Sequence, residues 1–173
     1  MDQVRKTIHK YITQEQYLHS MPVTRALTIT FRNKTSEIVT PVDIHTIDGK
    51  RQVKTLGLWD TGATGSVITR EIAEILNLKP IDRIKVKGVN SVVECNVYLL
   101  KLVLNNGDVT FDMEVTECEK ITDNGVGMLI GMNVINLGDF AITNFNNETT
   151  FSFQIPPVET IDFVKKINYK KNK

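Results

Sequence analysis

Apolar and polar residues alternate with a period of two through much of this chain, and that pattern narrows its possible folds more than any other feature. Val109, Phe111, Met113 and Val115 alternate with Thr110, Asp112, Glu114 and Thr116. Such a run puts every second side chain on one face of an extended strand and calls for a sheet with one dry and one wet face. Leu27, Ile29 and Phe31 repeat the pattern, as do Val42 to His45, and Phe151, Phe153 and Ile155, where Pro156 and Pro157 stop the strand. Ile84 and Val86 read as strand, as does the long arm from Val92 to Leu104. Asp48-Gly49 and Asn106-Gly107 are hairpin signals, the first leading into Val53 to Leu58. The chain is therefore mainly β, and 173 residues with 41% apolar content suffice for one ordinary core.

Helical signals are few. In TREIAEILNLKP, Thr69 caps the start, Glu71 sits in the positive first turn, Ile72, Ile75 and Leu76 share a face, and Pro80 forbids continuation. Val4, Ile8, Tyr11, Ile12 and Leu18 loosely suit an amphipathic helix that Pro22 ends. Met128 to Ile130 is too continuously apolar for a surface loop, and the lysine-rich end KKINYKKNK reads as a solvated tail.

Composition excludes several function classes. Lys plus Arg number 21 against 20 for Asp plus Glu, and a net charge of +1 provides no broad field for nucleic acid or an anionic membrane, so neither is expected as a partner. His9, His19 and His45 with two cysteines do not make a zinc-ligand spacing, and no metal or cofactor is expected. No secretion signal or membrane-length apolar run is readable, so the expectation is a soluble, cytoplasmic protein. A two-residue Asn106-Gly107 loop with unbroken pairing would set Cys95 opposite Cys118; both are read as reduced, partly buried thiols.

The segment that carries chemistry is LWDTGATGSVIT, residues 58 to 69. An apolar strand delivers Asp60 into a turn of Thr, Gly, Ala, Thr and Gly, where a carboxylate leaves the sheet as tight backbone geometry becomes available. The same residues also suit a purely structural turn whose Asp accepts backbone N–H groups. Asp60-Thr61-Gly62-Ala63 after an apolar strand, followed downstream by Leu129-Ile130-Gly131-Met132-Asn133-Val134-Ile135, resembles the single-domain retroviral-type aspartic proteases, the retropepsins, and most of all the bacterially encoded members. The resemblance spans roughly Ile38 to Phe153 and implies a closed β-barrel-like acid-protease fold with one or two short helices. It divides the chain into a partly helical N-terminal extension (1–35), a protease domain (36–156) and a basic C-terminal tail (157–173).

By this resemblance Asp60 is the catalytic aspartate. Thr61 hydrogen-bonds across a dimer axis, Gly62 gives its N–H to the carboxylate, and Ala63 borders the substrate backbone. Gly88, Val89, Asn90 and Ser91 fall at the flap tip, which is glycine-poor for the family. Gly131, Met132 and Asn133 form the second family motif, with Met132 in place of the usual arginine.

Metal-free peptide hydrolysis needs one base to activate water and one acid to protonate the carbonyl oxygen and the leaving amine. Two close carboxylates sharing a proton supply both. This chain has one Asp-Thr-Gly, so the second aspartate is expected from a symmetry mate in a homodimer. Other groups read as structural: Asp139 at a turn, Asp112, Glu114 and Glu117 on a solvent face, His45 on a strand, and Cys118 as a thiol of the fold. The expected function is a homodimeric aspartic endopeptidase acting on peptide or protein substrates. The alternatives are a non-catalytic peptide-binding or dimerisation module of the same fold, and a protease restricted to a client such as its own N-terminal segment, at Tyr17-Leu18 or Met21-Pro22.

Overall fold

The computed structural model describes residues 23–87, 92–104 and 107–171. The helical reading of residues 1–22, including the Tyr17-Leu18 and Met21-Pro22 junctions, lies outside them, as do Asn106 and Gly88, Val89, Asn90 and Ser91, which the resemblance assigns to a flap tip. The alternating segments become strands β1 (Arg25–Phe31), β2 (Ile38–His45), β3 (Gln52–Trp59), β4 (Val67–Thr69), β5 (Asp82–Lys87), β6 (Val92–Leu104), β7 (Val109–Cys118), β8 (Val126–Ile130), β9 (Asp139–Phe145) and β10 (Glu148–Ile155). Among the described residues three short helices accompany them: α1 (Arg70–Ile75), α2 (Met132–Ile135) and α3 (Phe163–Lys171).

The larger sheet runs β2-β3-β8-β4-β7-β6, and β6 pairs back onto β2 from Val103 against Asp43 to Lys101 against His45. That last pairing closes six strands into a barrel, the architecture expected from the sequence. β5 hangs on the outer edge of β6 as one arm of a hairpin. Closure hides the edges that an open sheet would leave unpaired. Its interior holds Ile44, Leu100, Leu102, Met128 and Ile130, all 0% exposed.

A second sheet, ordered β1-β10-β9, packs beside the barrel. β1 pairs with β10 from Arg25 against Ile155 to Phe31 against Thr149, so residues 25–31 form an edge strand of the folded body. Its wet face is stitched by Thr28 to Ser152 (2.9 Å) and Thr30 to Thr150 (3.1 Å). Its dry face presents Phe151 and Phe153, whose ring centroids lie 4.9 and 5.2 Å from that of Trp59 at the end of β3. Burying one such ring stabilises the fold by about 1.5–3 kcal/mol. The indole N–H of Trp59 donates to Thr40 Oγ1 at 3.0 Å, so this polar group is buried with its partner. The residue before Asp60 is thus held from both sides.

Three local expectations are revised. Thr69 occupies the N-cap of α1 with extended backbone, but its hydroxyl makes no capping bond. Ile72 and Leu76 are buried while Ile75 is 52% exposed, because the buried face is centred on Ile72, Ala73 and Leu76 and helical spacing places Ile75 to one side of it. The β6–β7 ladder ends at Val97 against Thr116, where β7 turns to β4; Cys95 therefore faces Ile84, Cys118 faces Thr69, and both thiols are free. In the tail, the Asp162 carboxylate accepts the Lys165 N–H at 3.0 Å, and residues 163–171 form a helix with Phe163, Val164 and Ile167 exposed. No helix among the described residues is long and apolar enough to cross a membrane.

Candidate active site

β3 is central in the barrel, between β2 and β8, and its last backbone link carries the site. The Asp60 N–H donates to the Ile130 carbonyl at 2.9 Å, extending the parallel β3–β8 ladder by one step. Beyond it the chain turns sharply: Asp60 Oδ1 accepts the Gly62 N–H at 2.8 Å and the Asp60 carbonyl accepts the Ala63 N–H at 3.3 Å. A Cβ at Gly62 would stand 3.1 Å from Asp60 Oδ1, so the loop has little room for a side chain there. Asp60 is partly exposed, Ala63 half-buried and Thr61 exposed, with no hydrogen bond from the Thr61 hydroxyl to any described residue.

The second motif clamps this loop from behind. Gly131 precedes the four-residue α2 with extended backbone, and the Met132 and Asn133 N–H groups donate to the carbonyls of Ala63 (2.8 Å) and Thr64 (3.2 Å). Ser66, 2% exposed, completes the clamp: its hydroxyl donates to Asn133 Oδ1 at 2.7 Å and accepts the Gly131 N–H at 3.0 Å. The Met132 side chain packs, partly buried, on the core. Ser66 was not singled out from sequence; its one local signal is a hydroxyl at the entry of an apolar strand. Ser66→Ala leaves the Gly131 N–H and the Asn133 amide unpaired, and is expected to lower stability by about 2 kcal/mol in denaturant unfolding. Unchanged stability would show that water replaces the hydroxyl without loss.

A cavity of about 630 Å³ opens beside the loop, bounded by Gly62 to Val67 on one side and by Asp82, Ile84, Val97 and Glu114 on the β5–β6–β7 face. The hairpin of β5 and β6, paired as far as Lys87 against Val92, supplies Asp82, Ile84 and Val97 to this lining.

The other sequence candidates fall elsewhere. Asp139 Oδ2 accepts Gln154 Nε2 (2.9 Å) and the N–H groups of Val158 (2.7 Å) and Glu159 (3.1 Å), which hold its carboxyl below the ordinary range and fix the chain after β10. Glu117, expected on the solvent face, instead has the parity of Met113 and Val115. Its carboxylate accepts Tyr98 Oη at 2.8 Å and Asn96 Nδ2 at 2.7 Å. Burial, with Glu117 beside it, pushes the Tyr98 hydroxyl up. Asp112 and Glu114 are exposed as expected, Asp112 beside Lys101. His45 is half-buried, with Nε2 lacking a partner among the described residues. Burial pushes the Cys118 thiol up, which keeps it protonated and poorly nucleophilic.

The closed barrel, with its Asp-Thr-Gly loop clamped by the second motif, defines a retropepsin-like fold. A family model described as an aspartyl protease matches residues 41–134, more than half of the chain, and the protein belongs to that family. Among solved structures the chain is similar to a retropepsin-like aspartic protease from Rickettsia conorii, at 14% identity over 77% of this chain and 95% of that one, with a TM-score of 0.48. It is also similar to the EIAV protease complexed with an inhibitor, at 16% identity over 61% and 91% of the two chains and a TM-score of 0.45. The retroviral protease-like domain of Ddi1 from Leishmania major matches at 18% identity over 68% and 95%, with a TM-score of 0.39. No curated protein matches significantly.

Proposed function

We propose that two copies of this chain form an aspartic endopeptidase in which paired Asp60 carboxylates activate water. The observation that carries this reading is the loop itself. Asp60 stands on a tight turn with Oδ1 oriented by the Gly62 N–H, while the adjacent Thr61 is exposed and its hydroxyl has no partner among the described residues. Both groups are half of a contact that a two-fold mate completes. Close carboxylates cannot both ionise, so the pair holds one proton. The ionised member takes a proton from the bridging water as that water attacks the peptide carbonyl, and the protonated member gives its proton to the carbonyl oxygen. Collapse of the resulting gem-diol then delivers a proton to the leaving amine.

An extended substrate lies along the loop with its side chains in flanking cavities, beside the hairpin strands β5 and β6. A site assembled from two chains has a concentration signature. Activity per mole of chain is expected to fall on dilution over about a thousandfold range, in step with loss of the dimer measured by sedimentation. Constant specific activity from a 19.6 kDa monomer would overturn the proposal.

A further inference from the structure

Resting on the peptidase reading, we propose that the cavity beside the Asp60 loop is a side-chain subsite for lysine or arginine of the bound peptide, with Asp82 and Glu114 as its specificity-determining residues. The cavity is continuous with the motif loop, being walled by Gly62 to Val67, so a peptide lying along Asp60 reaches it with a neighbouring side chain. Strand parity sets its character. Asp82 on β5 faces Val97 on β6, which faces Thr116 on β7, and Glu114 lies two residues along β7 on the same face. Ile84, Val97 and Val67 make the wall apolar, while the two carboxylates stand exposed on the cavity lining.

The same parity turns the nearby cations away. Arg83 lies on the opposite face with Nε on Asn96 Oδ1 at 3.0 Å, and Lys85 faces Glu94 there. Among the described residues no lysine, arginine or histidine lines the cavity, and neither Asp82 nor Glu114 is in an ion pair. Asp82 Oδ1 accepts the Arg83 N–H at 2.7 Å, which leaves Oδ2 open. An apolar wall with carboxylates beside it fits a side chain made of an aliphatic stem and a cationic head. In a chain whose net charge is +1, this negative lining is local.

The test uses the full chain and synthetic decapeptide pools that differ only by lysine or glutamine at one scanned position, with cleavage read by mass spectrometry. Lysine is expected to be preferred about fivefold at one position near the cut bond, expressed in KM and weakening with salt. Asp82→Asn with Glu114→Gln should erase the preference, and Glu114→Lys should turn it toward acidic peptides. Cleavage without a basic preference, or a preference unmoved by these variants, overturns the subsite and leaves the peptidase reading standing. A parallel arm measures fluorescence anisotropy of the same pools on Asp60→Asn protein. Preferential binding of lysine pools there, with no cleavage by wild type, supports the subsite and rejects the peptidase. Absence of both cleavage and lysine-selective binding rejects the subsite as well.

Discussion

Asp60→Asn abolishes peptide cleavage, with an expected loss of about a thousandfold or more in kcat, while the fold stays intact. The amide oxygen of Asn can still accept the Gly62 N–H that Asp60 Oδ1 accepts at 2.8 Å, so the loop keeps its shape. What is lost is chemistry: an amide neither takes a proton from water nor shares one with its mate. The measurement is cleavage of a mixed peptide pool by wild type and variant side by side, from acidic to alkaline pH. Activity that survives the change, or that climbs steadily into the alkaline range, would reject the assignment. A mixing experiment sharpens it. Excess Asp60→Asn chain should suppress a fixed amount of wild type, because mixed dimers hold one competent carboxylate. Indifference to the added chain would place the whole site within a single copy.

Gly131→Ala carries the largest structural effect expected in the site. The added Cβ would lie 2.4 Å from the Gly65 carbonyl oxygen, 2.7 Å from the Gly65 carbonyl carbon and 2.9 Å from the Ala63 carbonyl oxygen. These are backbone atoms, and no rotamer change relieves them. Gly131 has an ordinary negative φ of −93°, so its requirement is space for close approach and not conformational freedom. Relief pushes the Ala63 to Gly65 segment away from α2, stretching the bonds that Met132 and Asn133 make to it. The expected cost is about 3 kcal/mol, a fall in melting temperature of roughly 6–12 °C, together with loss of activity as Asp60 shifts. Gly65→Ala is the control: a Cβ there meets nothing within 4 Å, and stability should be unchanged or slightly raised. Equal melting temperatures for Gly131→Ala and wild type would mean the clamp yields without strain.

Which parts of this site could be read from sequence follows from how far apart the participating residues lie. The turn at Asp60 was legible because a strand end, a carboxylate and glycines sit in consecutive positions. The Ser66 bond to Asn133 was not, since it joins segments that meet only when β4 enters the barrel beside β8. Glu117 shows the intermediate case. Its parity with Val115 was available in the sequence, yet the reading of a wet face prevailed because the Tyr98 and Asn96 groups that satisfy its carboxylate come from the neighbouring strand. Cys95 and Cys118 keep the register that an Asn106-Gly107 turn implies, but β7 exchanges partners before that register would bring them together.

By itself, then, the sequence determined most of the strands and the loop that presents Asp60, because alternation and turn chemistry act between neighbours along the chain. The tertiary structure alone decided that β6 closes onto β2, that β1 joins β10, and that Asp82 and Glu114 share a cavity with the Asp60 loop. Register between distant strands is set by many weak contacts summed over the whole core, and no short stretch of residues carries that sum.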